Sequence, residues 1–371
     1  MDFQLTDEQT LLADTTRDLL SGYDTEKRNK VVETEPGFDR QIWGQLAEIG
    51  VLGLGFDEDS GGQIEIMVVL NELGRRLAPE PVLHGAIGPG AIIAEVGTDS
   101  QRALLDEVAS GERILAFAHA EPGVRGAAGV TTIAARNGDG WTLTGTKNPV
   151  LAGDVADTLI VSAALPGQSS EAGTGLFLVD AADVSRKGYR TFDGQRGAQI
   201  TLDATSAEPL GGEAVDAGAA ITNALVRISA GLCAEAVGAM DESLRLTTDY
   251  LKQRKQFGVT LSKFQTLTQR AADMYMSLEL ARSMGNYAAM SIADGELDPV
   301  IAARAKLQIG RSGRHIAQES IQLHGGIGVT AEYPIGHYAA RLTAIEHTLG
   351  SSADQLRTLV GQLDSYEIAT L

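Results

Sequence analysis

Two stretches decide the fold: Arg254-Lys255-Gln256-Phe257-Gly258, followed by Phe264-Gln265, and Gln322-Leu323-His324-Gly325-Gly326-Ile327-Gly328, followed by Glu332-Tyr333-Pro334. The first closes a long predicted helix. An arginine there offers a rigid fork of donors that suits a pyrophosphate. The plainer reading is a solvated basic helix end, which the macrodipole favours in any case. In the second stretch, close glycines let backbone amides approach a phosphate or a ring with no Cβ in the way. A helix cap followed by a turn explains the same glycines. This is not a Rossmann fingerprint, because it follows a helix and no βαβ unit surrounds it. A third run, Glu121-Pro122-Gly123, reads by itself as a turn.

Outward from these runs the chain divides in three. Residues 1–112 read as helical. Thr6 and Gln9 form a capping-box pattern ahead of Leu11, Leu12, Thr15, Leu19 and Leu20 at helical spacing. Asp39 to Ile49 and Ile66 to Leu77 read the same way, with Gly61-Gly62 as a break and Pro79 as a stop. Residues 113–212 read as a β-domain. Trp141-Thr142-Leu143-Thr144, Thr158-Leu159-Ile160-Val161, Leu176-Phe177-Leu178-Val179 and Gln199-Ile200-Thr201-Leu202 are its strand candidates. Gln168 to Thr174 reads as a polar loop. Residues 213–371 return to long helices, Ala214 to Lys252, Phe264 to Ala293 and Val300 to His324, which would pack as a bundle. The expected class is mainly α with a central β-domain.

Composition narrows the function. The 371 residues are 43% hydrophobic and 21% charged, ordinary for a globular protein with a sizeable core. A net charge of -19 argues against nucleic acid as the main partner, since phosphate binding needs a basic surface. One cysteine, Cys233, excludes an internal disulfide framework and any zinc site of several thiolates, and it reads as a buried small hydrophobe. Trp43 and Trp141 read as packing residues. His315 and His324 do not show the four-residue spacing of a helical metal pair, and no metal is expected. The start carries acidic residues rather than a signal-peptide pattern, and no long uncharged apolar stretch suggests a membrane span. A cytoplasmic protein is the expectation.

Taken in this order over a helix–β–helix plan, the three runs resemble the acyl-CoA dehydrogenase family along essentially the whole chain. The resemblance implies an N-terminal helical domain, a β-barrel-like middle domain and a C-terminal four-helix bundle. It implies non-covalent FAD, a tetramer built as a dimer of dimers, an electron-accepting flavoprotein, and α,β-desaturation of an acyl-CoA substrate. A glutamate removes the α-proton while the β-hydrogen leaves as hydride to the flavin. In the family, each flavin crosses a subunit interface, and the Arg-Lys-Gln-Phe-Gly and Gln-x-x-Gly-Gly runs of one chain grip the pyrophosphate and adenosine of a flavin seated on its neighbour. Carried over residue by residue, the resemblance assigns that grip to Arg254, Gln256, Phe257, Phe264, Gln265, Gln322, Leu323, Gly325 and Gly326.

The sequence departs from the family where a flavin ring and a base belong. The usual glutamate lies 27 residues beyond the first glutamine of the glycine run, which is Leu349 here. The alternative position, 26 residues before the arginine, is Ile228. Glu346, with His347 beside it, is the best of the substitutes, and Glu235, Asp241 and Glu242 follow. The plainer reading makes all of them solvated or ion-paired carboxylates. The threonine and serine that flank Glu-Pro-Gly in the family are Ala120 and Gly126, and the Trp-x-Thr run is Pro149-Val150-Leu151. Arg227 could meet a CoA phosphate, or form a helix-surface ion pair. The pattern is similar to one subunit type of actinobacterial α2β2 acyl-CoA dehydrogenases of steroid side-chain breakdown, which completes the cofactor site of a second subunit. A self-sufficient homotetramer with a relocated base, and a flavin oxidase or monooxygenase on the same fold, stay open.

Overall fold

The computed structural model describes residues 4–57, 59–123, 129–138, 140–166 and 173–362. Gly126 and most of the Gln168 to Thr174 loop lie outside the described residues. Helix α1 (Asp7–Leu19) begins on the expected cap, with the Thr6 and Gln9 side chains exchanging both bonds of a capping box. Helices α2 (Thr25–Val32), α3 (Arg40–Glu48, capped by Asp39) and α4 (Gln63–Arg76) follow. A π-helical turn (Leu83–Ile87) leads into α5 (Gly88–Val96), then α6 (Asp99–Arg102) and α7 (Leu104–Ala109).

Seven strands come next: β1 (Leu115–Ala118), β2 (Ile133–Asn137), β3 (Gly140–Leu151), β4 (Thr158–Ala164), β5 (Thr174–Asp180), β6 (Ser185–Arg190) and β7 (Arg196–Pro209). The helical part then holds α8 (Gly218–Gln253), a small hairpin of β8 (Lys255–Gln256) and β9 (Val259–Thr260), α9 (Gln265–Ala293), α10 (Pro299–His324), α11 (Ile335–His347) and α12 (Ser352–Val360). Helices, then a sheet, then long helices is the expected order.

Two compact units emerge, each assembled from separated stretches. One gathers Met1–Asn29, Gln63–Ala78 and Ser229–Leu371. Its helices approach very closely where glycine permits. A Cβ on Gly74 of α4 would overlap the Glu235 carbonyl, and one on Gly238 of α8 would overlap the Asn71 carbonyl, so the two backbones touch. Helix α9 buries Met274, Leu278, Ala281, Gly285 and Ala288, spaced alternately by four and three, along one stripe. An apolar window of α8 is long enough to cross a membrane, but 78% of it is buried, as in a core helix.

The other unit gathers Lys30–Gly62 and Pro79–Ile228. Strands β4, β2, β3, β7 and β5 pair in succession, and β5 pairs back to β4, closing a barrel-like ring. Strand β1 adds parallel to β4, and β6 adds antiparallel to β7. Leu143, Val150, Leu159, Val161, Phe177, Val179, Ala198 and Ile200 fill the interior. Strands β4 and β5 are buried almost throughout, as their continuous apolar runs predict.

Candidate functional site

Helix α8 ends in an Arg254 amide that donates to the Tyr250 carbonyl (2.8 Å). The chain then folds back through a two-residue turn. Phe257 (φ +53°) and Gly258 (φ +82°) are both left-handed, as a type I′ hairpin turn requires. Glycine takes this conformation freely, whereas it costs an L-residue about 1–2 kcal/mol. Phe257 gains no burial in return, for it is 91% exposed. Its ring meets Phe264 edge-on at 6.2 Å. Arg254, Lys255 and Gln256 are also exposed, as is Gln265 in the first turn of α9. Among the described residues the Arg254 guanidinium has no ion-pair partner.

The second run lies at the end of α10. Gly325 (φ +66°) breaks the helix, its amide donating back to the Gln322 and Ile321 carbonyls, and a Cβ on Gly325 or Gly326 would meet nothing within 4 Å, so the backbone here is open to close approach. Gln322 is exposed and Leu323 is buried. Sequence reasoning missed what joins the two runs. The His324 ring lies 4.5 Å from Tyr250, one turn before Arg254, and 5.0 Å from Tyr333. His324 Nδ1 donates to the Ser320 carbonyl (2.7 Å), and burial pushes its pKa down, so the imidazole is neutral. An arginine, several carboxamides, glycines with open space beside them and two phenyl rings therefore gather at one end of a helical unit. That set can take phosphate oxygens and a planar ring.

The base positions look different. Leu349 is left-handed (φ +58°) and 39% exposed, at the corner between α11 and α12. Ile228 is 4% exposed, and it packs so near α5 that a Cβ on Gly88 would sit 2.9 Å from its side chain. Glu346 is buried, and its oxygens accept from the Ser352 amide and hydroxyl (2.9 Å each) and from Arg314 (3.5 Å). Glu235 holds Arg341 through two hydrogen bonds of 2.6 and 2.7 Å, Asp241 pairs with Arg75 and Arg282, and Glu242 pairs with Arg245. His347 is exposed. Arg227 pairs with Glu95 at 3.4 Å on the helix surface. Burial pushes the Cys233 thiol up to about 12, which leaves it inert.

In the β-domain, Glu121 is more than a turn residue. Its carboxylate accepts from Lys147 Nζ (2.6 Å), from the Thr131 and Thr132 amides (2.7 and 2.9 Å) and from both threonine hydroxyls. It thereby pins Thr131 and Thr132 back to the Glu-Pro-Gly turn. Burial opposes ionisation, but the bonds from Lys147, Thr131 and Thr132 outweigh it and hold the carboxyl below its usual range. Burial pushes the Lys147 ammonium down, and Glu121 restores only part. Lys147 also donates to Ser162 Oγ (3.1 Å), which shares a hydrogen bond with His119 Nδ1 (2.9 Å). Burial, then the Lys147 charge, lower His119 to about 4. Nothing local signals this network, because Glu121 and Lys147 stand 26 residues apart. Ala120 is exposed, Val150 is in the barrel interior, and Ala152 just beyond is left-handed (φ +59°).

Comparison with known proteins bears on this arrangement. Residues 6–112 match the family described as acyl-CoA dehydrogenase, N-terminal domain, and residues 218–363 match acyl-CoA dehydrogenase, C-terminal domain. The acyl-CoA dehydrogenase IpdE2 of Mycobacterium tuberculosis is 31% identical over 337 residues, 89% of each chain. A variant of the Tcur3481–Tcur3483 steroid ACAD superposes with a TM-score of 0.88 at 33% identity, covering 97% of this chain and 98% of that one. The ChsE4–ChsE5 complex from Mycobacterium tuberculosis gives 0.88 at 26% identity, covering 99% and 100%. On sequence, fold and coverage together, the chain belongs to the acyl-CoA dehydrogenase family, FAD-dependent oxidoreductases that act on CH–CH bonds.

Proposed function

We propose that this chain is the flavin-supporting subunit of a heteromeric acyl-CoA dehydrogenase. In that role it lends phosphate and adenosine contacts to a flavin seated on a partner subunit and does not itself deprotonate the substrate. One asymmetry carries the reading. The groups suited to a dinucleotide lie at one end of a helical unit, with Arg254, Gln256, Phe257, Gln265, Gln322, Gly325 and Gly326 exposed and Phe264 half-buried. Both positions the family uses for its glutamate hold aliphatic side chains, Leu349 and Ile228. Glu346, the best substitute, has both oxygens occupied by Ser352 and Arg314, which supports a structural role for it.

The donor set fits FAD. The Arg254 fork suits the pyrophosphate, the unobstructed Gly325-Gly326 backbone lets a ligand approach closely, the carboxamides suit ribose and phosphate oxygens, and Phe257 with Phe264 offers an edge to the adenine. Bound FAD supplies the hydride-accepting ring. Two similar structures are of paired polypeptides, Tcur3481–Tcur3483 and ChsE4–ChsE5, and the first is a steroid ACAD. A steroid side-chain CoA thioester is accordingly the proposed substrate class of the assembled enzyme.

The test is the FAD-to-chain ratio after purification, alone and co-expressed with an acyl-CoA dehydrogenase subunit that carries the glutamate. The reading expects little FAD on the lone chain and a gain on co-expression. A lone homotetramer with a full complement of FAD and desaturase activity would refute it.

A further inference from the structure

His324 is the last residue of α10, between Gln322 and Gly325, and it is 3% exposed. Its ring lies between two tyrosines from different segments. Tyr250 of α8 is at 4.5 Å, and Tyr333, beyond the glycines, is at 5.0 Å. The tyrosines also meet each other edge-on at 6.4 Å, so the three rings close a cluster. Burying an imidazole costs more than burying a phenyl ring, because its nitrogens lose water. Nδ1 recovers a bond by donating to the Ser320 carbonyl (2.7 Å), which fixes the tautomer and the tilt of the ring. Nε2 is buried and has no hydrogen-bond partner among the described residues. The outer edge therefore makes no directional bond, and the ring acts through its faces.

Each neighbour of that ring leads to one half of the proposed FAD grip. Tyr250 lies one turn before Arg254, and its carbonyl accepts the Arg254 amide (2.8 Å). The Arg254 carbonyl accepts in turn from the Leu261 amide (2.8 Å), which closes the hairpin that carries Gln256 and Phe257. A shift of Tyr250 thus moves the root of the guanidinium and the hairpin together. On the other side the glycine turn folds back on His324, for a Cβ on Gly328 would lie 3.1 Å from the His324 Cβ. The Tyr333 amide donates to the Thr330 carbonyl (3.4 Å), which ties its ring to the end of that turn. A flat side chain of fixed tilt sets the distance between these two stretches of backbone. An aliphatic one of similar size has no face to stack.

We infer that His324 is a positioning residue: buried away from the ligand, it sets the spacing between the Arg254 hairpin and the Gly325–Gly328 turn, so that one dinucleotide meets both at once. The inference rests on the lending of FAD contacts proposed above and deepens it by naming the side chain that holds the two contact runs in register. A ligand gripped at two points loses affinity when their spacing is wrong, because it gives up one contact or is strained to keep both.

The experiment uses the full chain co-expressed with an acyl-CoA dehydrogenase subunit that carries the glutamate. Release of FAD from the mixed complex on dilution is followed by the rise in flavin fluorescence. His324→Phe keeps a flat ring between the tyrosines, His324→Leu keeps apolar volume without the ring, and Arg254→Ala removes part of the grip itself. Arg254→Ala and His324→Leu are each expected to speed release about tenfold or more, and His324→Phe to stay within about twofold of wild type. Tyr333→Leu, at a half-buried position, is expected to speed release likewise and reads the same link should His324→Leu not fold. Urea midpoints of the lone variants are measured alongside. A wild-type release rate in His324→Leu overturns the inference, and a fast Arg254→Ala then leaves the proposed function standing. Release as fast in His324→Phe as in His324→Leu, or rates that follow the urea midpoints, makes His324 an ordinary core residue and also overturns it. A wild-type rate in Arg254→Ala refutes the proposed function, and the inference falls with it.

Discussion

The pair Glu121–Lys147 gives a sharp quantitative test of the β-domain. The Lys147 side chain has no exposure and that of Glu121 has 3%, at a separation of 2.6 Å. Removing one partner of such a pair costs about 3–5 kcal/mol, because a charge is left in low dielectric. In Lys147→Met the stranded Glu121 carboxylate keeps four donors from Thr131 and Thr132. The cost therefore falls at the lower end, about 3 kcal/mol. In Glu121→Gln the Lys147 ammonium keeps only neutral acceptors, the new carboxamide oxygen, the His119 carbonyl at 3.3 Å and Ser162 Oγ. Burial already depresses its proton affinity, so it escapes part of the penalty by neutralising, and about 3 kcal/mol is again expected. The double variant has no stranded charge and should cost less than the sum by roughly 2 kcal/mol. Urea titrations at pH 7 on wild type, both singles and the double close the cycle. Single costs under about 1 kcal/mol, or additivity within about 0.5 kcal/mol, would refute the account of this network.

Acidification tests the same network from another side. His119 sits at about 4 in the folded chain against 6.5 unfolded, so the unfolded chain binds the proton first. Stability should fall as pH drops from 6.5 to 4, by about 3 kcal/mol from this group, and His119→Gln should flatten that slope in urea midpoints measured across the range. Gly310→Ala drives a methyl into the Glu346 carboxylate and the Ser352 hydroxyl, and should cost about 2–3 kcal/mol by thermal or urea unfolding, because the buried Glu346 is held by its hydrogen bonds. A cost below about 1 kcal/mol would mean that the α10–α12 contact is loose. Ala204 is exposed and left-handed (φ +49°), so Ala204→Gly should stabilise by about 0.5 kcal/mol, and a loss of stability would count against that backbone geometry.

What the sequence revealed was mostly local. The Thr6–Gln9 box and the apolar runs of β4 and β5 carry their signal within a few residues, and they fold as read. The helix from Leu83 to Val96 was hidden because Gly85, Gly88, Pro89 and Gly90 look like loop residues. They are there for close approach: a Cβ on Gly90 would overlap the Phe56 ring, and Gly88 makes room for Ile228. Strand β6 was hidden because Arg186, Lys187, Gly188 and Arg190 show no alternation, and as an edge strand it needs none. At the site, Arg254 and the glycines of residues 325–328 were legible as residue types at helix ends. The Tyr250–His324–Tyr333 cluster and the Glu121–Lys147 pair join residues far apart in sequence, where no periodicity can point.

Phe257 and Leu349 make one last argument. Each is a large apolar residue in left-handed conformation, each is exposed, and each is followed directly by a left-handed glycine, Gly258 or Gly350. Glycine at the first position as well would relieve about 1–2 kcal/mol of strain per corner, less the entropy it adds to the unfolded chain. Strain of this kind persists where something outside the element compensates it. If that compensation is a neighbouring flavin for Phe257 and a neighbouring subunit for Leu349, glycine substitutions should have opposite effects in the two states. Phe257→Gly and Leu349→Gly should raise the urea midpoint of the lone chain by the equivalent of about 0.5–1 kcal/mol each. In the co-expressed complex, Phe257→Gly should lower FAD retention and Leu349→Gly should speed dissociation of the subunits. Variants that stabilise the lone chain and leave both FAD retention and assembly at wild-type values would show that the strain serves no contact, and the functional reading of both corners would fall.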